Sequence, residues 1–178
     1  MKKFVLFLTV FRIFAGPFIF ALVFFFDAIL LGLLFFVAAS LSDFLDGKLA
    51  RSFNVESSLG AILDPIADKI LILFALFTIT LLTNDLFVGG MSALILAREF
   101  WVSSLREYAA QHSKTELTKV TMLAKFKTSV QFLAISVFFL GLGINNALII
   151  FLASFLLFLA LLTTLKTGLD YSLNLFKS

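Results

Sequence analysis

Cysteine is missing from the sequence, histidine occurs once and proline twice. Without cysteine the chain has neither disulfides nor thiolate metal sites. The one histidine, His112, lies in a polar stretch of the kind that is usually exposed and is given no role. Pro17 and Pro65 are the only prolines and no stretch has the composition of a flexible linker, so a single domain over residues 1–178 is the economical organisation. Charge is scarce as well. Charged residues make up 14% of the sequence against 61% hydrophobic, with 25 phenylalanines, far more than a soluble domain needs to fill one core. The shortage is also positional: around Asp27, from Asn84 to Gly89 and from Gly141 to Asn146 there is neither lysine nor arginine. No internal repeat is visible, nor a matched pair of Gly- or Pro-broken helices in two halves, which argues against a secondary transporter.

What is abundant is continuous apolar sequence. Six runs, at about 4–26, 28–50, 59–83, 86–108, 122–142 and 146–168, are each long enough to cross a bilayer, for which roughly 20 mostly apolar residues suffice. The expected fold class is all-α: a polytopic membrane protein of six transmembrane helices with both termini cytoplasmic. The first run is long, contains Arg12 and shows no small-residue cleavage site, so it is expected to persist as a helix and not to be removed as a signal peptide. With six spans both termini share a side, and that side receives Lys2, Lys3, Lys48, Arg51, Arg106, Lys114, Lys119, Lys166 and Lys177. The positive-inside rule makes it the cytoplasmic side. Topology and anionic headgroups then account for the formal net charge of +3 without a nucleic-acid partner.

Charges inside the runs are the informative residues, because each costs about 2.5–3.5 kcal/mol at a helix centre on insertion scales. They are Arg12, Asp43, Asp46, Asp64, Asp68, Lys69, Arg98, Glu99, Lys125 and Lys127, nearly all toward the cytoplasmic ends. Lysine can snorkel to the interface, whereas aspartate has too short a stem to reach far. Asp43 and Asp46 are three apart and Asp64 and Asp68 four apart, so each pair lies on one helix face. A short loop joins the two helices, and their acid-bearing ends meet at one depth. Four such carboxylates repel one another unless a cation joins them. Oxygen donors alone suit a hard ion, Mg²⁺, Mn²⁺ or Ca²⁺, with room for two ions about 3.5–4 Å apart in a phosphoryl-transfer site. Gly47 and Gly60 let a ligand or another backbone come close, Pro65 is expected to bend the third span beside the carboxylates, and Arg51 can fork onto phosphate oxygens.

Residues 43–68 read D-x2-D-G-x2-A-R-x8-G-x3-D-x3-D, and in this the chain resembles the CDP-alcohol phosphatidyltransferase family, with every fixed position and both spacings intact. "LDPIADK" (63–69), "AREFWVSSLRE" (97–107) and "KFKTSVQ" (125–131) are similar to its phosphatidylglycerophosphate synthase branch. The resemblance implies that Asp43, Asp46, Asp64 and Asp68 ligate two divalent cations, Mg²⁺ or Mn²⁺, which grip the pyrophosphate of CDP-diacylglycerol. It implies that Asp46, Gly47, Ala50, Arg51 and Gly60 line the CDP site, and that Asp68 is the general base toward the acceptor hydroxyl. The implied acceptor is sn-glycerol 3-phosphate, whose 1-hydroxyl attacks the lipid-side phosphorus and expels CMP. The implied setting is phospholipid synthesis in a bacterial inner membrane, by a homodimer.

The acidic motif offers nothing to the acceptor's phosphate. Candidates for that role are Thr9 and Arg12 in the first helix, Arg98 and Arg106 in the fourth, and Lys125 and Lys127 in the fifth. Arg98 and Arg106 are eight apart and share a face; Lys125 and Lys127 are two apart and do not. The opening MKKFVLFLTVFRI departs from the Asn- and Pro-containing segment common among relatives, while Leu8, Thr9 and Arg12 keep the pattern that follows it. Trp101 and Tyr108 are expected as interfacial anchors. Three other readings compete: the same reaction with inositol phosphate, serine or phosphatidylglycerol as acceptor, an ion-coupled transporter using the aspartates as its ion site, and a structural membrane protein. The intact glycine and arginine positions argue against the transporter.

Overall fold

At bilayer depth no water is available to satisfy backbone groups, so each apolar run closes its own hydrogen bonds as a helix. Among the described residues the computed structural model shows six: α1 (Lys2–Phe26), α2 (Ile29–Phe53), α3 (Ser58–Thr83), α4 (Leu86–Gln111), α5 (Met122–Gly143) and α6 (Ala147–Phe176). The structure describes residues 2–53, 58–112 and 122–176, and within these the side chains of 2–6, 43–53, 58, 59, 61, 122–125 and 176 lie outside the description. No strand occurs among the described residues. Five helices, α1, α3, α4, α5 and α6, hold stretches long and apolar enough to cross a membrane. In α2 the apolar stretch with described side chains, Ile29–Ser42, is shorter, and the helix continues through the charged segment to Phe53. The chain is a multi-pass, all-helical membrane protein.

Three short turns join α1 to α2, α3 to α4 and α5 to α6, and each contains one left-handed residue: Asp27 (φ 52), Asn84 (φ 47) and Asn145 (φ 52). Aspartate and asparagine tolerate that region better than other side chains. Asp85 then caps α4 by accepting from the Phe87 N–H, and the Asn146 side-chain Oδ1 accepts from the Leu148 and Ile149 N–H groups at the start of α6. Turns this short make each pair antiparallel. The starts of α1, α3 and α5 therefore lie at the same end as the finishes of their partners, and the charged candidates collect there.

α1 packs on α2 and α3, α5 runs along α6 and against α2, and α4 lies on α6 and α3. Ile19, Phe36, Leu71, Ile95, Phe138 and Leu157 meet in the main core, while Phe14, Phe25, Phe87 and Phe151 face outward. One contact sets the spacing at the polar end. A Cβ added to Gly16 of α1 would stand 3.0 Å from the Ile70 carbonyl oxygen and 3.3 Å from the Leu71 Cα of α3, so the two backbones approach as they do only because this position has no side chain. Arg12, one turn earlier on α1, is carried against the first turns of α3.

The last helix is longer than the apolar run suggests. The run ends near 168, yet α6 continues to Phe176 because Tyr171 and Leu175 bury against Val102, Leu105 and Ala109 of α4. Helix-on-helix packing carries those turns where apolarity has lapsed. α4 also outlasts its run, to Gln111, and closes on His112, whose backbone N–H bonds to the Tyr108 carbonyl and whose ring stacks on Tyr108 at 4.0 Å. α3 passes through Pro65 as one continuous helix.

Candidate active site

Two clusters of charge face each other across the polar end of the bundle. In the first, Arg12 of α1 is wholly buried and reaches across to α3, donating from Nη2 to Asp64 Oδ1 at 3.0 Å and from Nη1 to Asp68 Oδ1 at 2.5 Å. The one-turn spacing of the acids lets a single guanidinium fork between them. The Thr9 hydroxyl, buried one turn before Arg12, donates to the same Asp64 oxygen at 2.7 Å. Both carboxylates stay partly exposed, at 39% and 40% of the side chain. Thr9 and Arg12, candidates for the acceptor phosphate in the sequence, thus sit on the two aspartates, and neither lines the cavity described below.

In the second cluster the signs are exchanged. Glu99 of α4 accepts from Arg98 Nη1 at 3.4 Å and from the ammonium of Lys127 on α5. Arg98 and Lys127 are both buried. α6 completes the cluster. The Thr167 hydroxyl accepts from Arg98 Nη2 at 2.6 Å and turns its own hydrogen to the α6 carbonyls of Thr163 and Thr164. Two turns below, Arg106 lies over the Tyr171 ring at 5.3 Å and donates to its hydroxyl at 3.4 Å. Arg98 also lies flat against Gly168: a Cβ there would meet its Nε at 3.1 Å and its Cγ at 3.2 Å.

Between the clusters is a cavity of about 230 Å³. Arg98, Glu99 and Arg106 line it from α4, Lys127, Thr128 and Gln131 from α5, and Pro65, Asp68 and Lys69 from α3. Four cations and two carboxylates thus border one space, a setting for a bound anion beside a carboxylate. Gln131 is 1% exposed, and its Nε2 has no hydrogen-bond partner among the described residues. The sequence points to Arg98, Arg106 and Lys127 but gives no role to Gln131, Thr167, Gly168 or Tyr171. A signal for Gln131 was present, since it stands one turn beyond Lys127 on the same face of α5.

Asp64 and Asp68 offer hard oxygen donors one turn apart and within reach of solvent, a pair that fits a divalent cation. Among the described residues no third acid, histidine or cysteine joins them. Asp43 and Asp46, the other two expected ligands, lie on α2 where side chains are outside the described residues, as do Gly47, Ala50 and Arg51 of the expected CDP site; the side chain of Lys125 of the acceptor site, on α5, is outside them too. Gly60 is buried in the first turn of α3, one turn before Asp64.

A family model described as CDP-alcohol phosphatidyltransferase matches residues 6–165. The chain belongs to the CDP-alcohol phosphatidyltransferase family. Among curated relatives, a protein of Rickettsia typhi is 39% identical over 181 aligned positions that cover 96% of each chain. One of Cereibacter sphaeroides is 42% identical over 149, covering 78% of this chain and 64% of its own. One of Wigglesworthia glossinidia brevipalpis is 40% identical over 131, covering 72% of this chain and 71% of its own. All three carry the name CDP-diacylglycerol–glycerol-3-phosphate 3-phosphatidyltransferase. The family match takes in both charge clusters up to Lys127 and the cavity wall at Gln131, and stops before Thr167, Gly168 and Tyr171. The α6 groups that hold the two arginines therefore lie beyond the part the family model describes.

Proposed function

We propose that this chain, a single membrane domain over residues 1–178, transfers the phosphatidyl group of CDP-diacylglycerol to sn-glycerol 3-phosphate, giving phosphatidylglycerophosphate and CMP. The observation that carries the reading is one cavity bordered by the Asp68 carboxylate and by Arg98, Arg106 and Lys127. The names of the relatives support the same substrates.

Asp43, Asp46, Asp64 and Asp68 hold two divalent ions, Mg²⁺ or Mn²⁺, which when bound neutralise pyrophosphate charge and make CMP a better leaving group. Asp46, Gly47, Ala50, Arg51 and Gly60 line the CDP site beside them. Arg98, Arg106 and Lys127, with Lys125, hold the acceptor phosphate, so the free hydroxyl is held near Asp68. Asp68 takes the hydroxyl proton as the oxygen attacks the phosphorus bearing diacylglycerol. The new phosphorus–oxygen bond forms as the bond to CMP breaks. Arg12 and Thr9 fix the two α3 carboxylates; its links to both acids support that role over a direct hold on the acceptor. The site opens to the cytoplasm of a cell inner membrane, as the positive-inside rule supports. Both a lipid and water-soluble partners can reach helix ends at that depth.

The test is CMP release by detergent-purified protein supplied with CDP-diacylglycerol, Mg²⁺ or Mn²⁺, and each candidate acceptor in turn. Release with glycerol 3-phosphate, abolished by a chelator and cut about 10²- to 10⁴-fold by Asp68→Asn, is expected for a general base. Release only with inositol phosphate, serine or phosphatidylglycerol moves the acceptor. Silence with every acceptor from folded protein sinks the enzyme reading.

A further inference from the structure

The cavity at the polar end brings more than a phosphate requires. Its four cations answer an anion, yet Gln131 is neutral, almost wholly buried, and has a donor without a partner among the described residues. A buried amide left unpaired is costly, and such groups call for a ligand that satisfies them. The other neutral polar groups on the wall are engaged within the protein: the Ser103 hydroxyl donates to the Glu99 carbonyl, and Thr128 has a partner of its own. Gln131 stands one turn from Lys127 on α5 and borders the same space as Asp68.

On the reading proposed above, glycerol 3-phosphate enters this space with three polar groups. The phosphate has the cations and the attacking 1-hydroxyl has Asp68. The secondary 2-hydroxyl has no charged partner to match it. A hydroxyl both accepts and donates, so it pairs with a carboxamide whichever end the amide turns. We infer that Gln131 is a specificity residue that binds the acceptor's second hydroxyl, so that the site selects a phosphorylated polyol over a phosphorylated simple alcohol. This rests on the acceptor assignment under Proposed function and adds the group that reads the part of the acceptor lying between its phosphate and its reacting oxygen.

The physical consequence is a coupling between one side chain and one substrate atom. A site built to hydrogen-bond a hydroxyl rejects the analogue lacking it, because the buried amide is then left unpaired. The probe is 3-hydroxypropyl phosphate, which keeps the phosphate and a primary hydroxyl and lacks only the secondary one. CMP release is measured for wild-type protein, Gln131→Leu and Gln131→Met, each first checked for a single folded species in detergent. Wild-type protein is expected to favour glycerol 3-phosphate over the probe by about tenfold or more in kcat/KM. Both variants are expected to lose that preference, falling about tenfold on glycerol 3-phosphate while remaining within about twofold of wild type on the probe. Two shapes are used so that a packing fault in one does not pass for the effect. Equal losses on both acceptors in both variants would assign Gln131 to the scaffold and overturn the inference, and so would an unchanged preference. Wild-type protein that releases CMP with neither compound fails earlier, at the acceptor assignment, and removes the inference with it.

Discussion

Around Asp64 and Asp68 two acids share one arginine, whereas around Glu99 one acid is shared by two cations, with Arg106 a third along the same face of α4. The packing differs with the sign. In the first cluster the minority charge, Arg12, is wholly buried and the acids keep about two-fifths of their side-chain surface. In the second, the cations Arg98 and Lys127 are themselves buried. Each cluster is left with an excess of one sign, negative on α3 and positive between α4, α5 and α6, and both border the cavity. Leaving each cluster unbalanced inside a low-dielectric bundle is expensive, and the arrangement makes sense where a cation joins the first and an anion the second during turnover.

The comparison breaks most visibly if the two clusters turn out not to divide the substrates. Asp64→Asn keeps the shape and removes a negative charge, so turnover should fall on the order of 10²-fold or more, and the divalent-ion concentration for half-maximal activity should rise. The KM for glycerol 3-phosphate should hardly move. Arg98→Ala should do the reverse, raising that KM about 10- to 100-fold, the worth of a hydrogen bond to a charged group, while the metal requirement stays put. A titration of metal and acceptor against both variants decides it. If Asp64→Asn shifts the acceptor KM as much as Arg98→Ala does, the two clusters are one undivided site.

Glu99→Gln sharpens the comparison from inside the second cluster. It removes the only acid that Arg98 and Lys127 share among the described contacts, so the free protein should lose about 1–3 kcal/mol, less than a fully buried pair because Glu99 keeps some exposure. The same change leaves the cavity more positive. Inorganic phosphate should therefore stabilise the variant more than the wild type, since at a given concentration a ligand raises stability more the tighter it binds the folded state. Thermal unfolding in detergent, with and without phosphate, reads the difference. Equal stabilisation of the two proteins would mean that Glu99 does not oppose anion binding.

Much of this is legible in the sequence, and the pattern of what is not is physical. Apolar runs mark helices because the bilayer leaves the backbone no alternative, and the four aspartates stand out because isolated acids at membrane depth need an explanation. Arg98 and Arg106 were readable as neighbours from helical periodicity alone. Arg12 was readable as functional but not as a partner of Asp64 and Asp68, because that contact spans more than fifty residues and depends on the close approach at Gly16. Thr167 and Tyr171 carry no charge and announce nothing until their neighbours on other helices are known, and Gln131, also neutral, is marked in the sequence only by its place one turn beyond Lys127. The continuation of α6 was hidden for the same reason: its last turns are held by α4 and not by their own apolarity.

Thr167 is the smallest test of the comparison and the most specific to this chain's own architecture. Its hydroxyl is the acceptor that ties Arg98 to α6, and Gly168 beside it leaves room for the guanidinium to lie against the helix. Thr167→Val is close in size and deletes the hydroxyl, both the acceptor for Arg98 and the donor to the α6 carbonyls of Thr163 and Thr164, so Arg98 keeps its charge and its bond to Glu99 but loses one of the partners that fix its angle. A neutral hydrogen bond is worth about 0.5–1.5 kcal/mol, which predicts a rise in the glycerol 3-phosphate KM of about two- to tenfold with kcat nearly unchanged. Thr167→Ser, which restores the hydroxyl without the methyl group, should return the KM to within about twofold of wild type. A loss in kcat with unchanged KM, or a serine variant no better than valine, would mean that α6 supports the bundle at this point without orienting the arginine, and the positive cluster would then be the work of α4 and α5 alone.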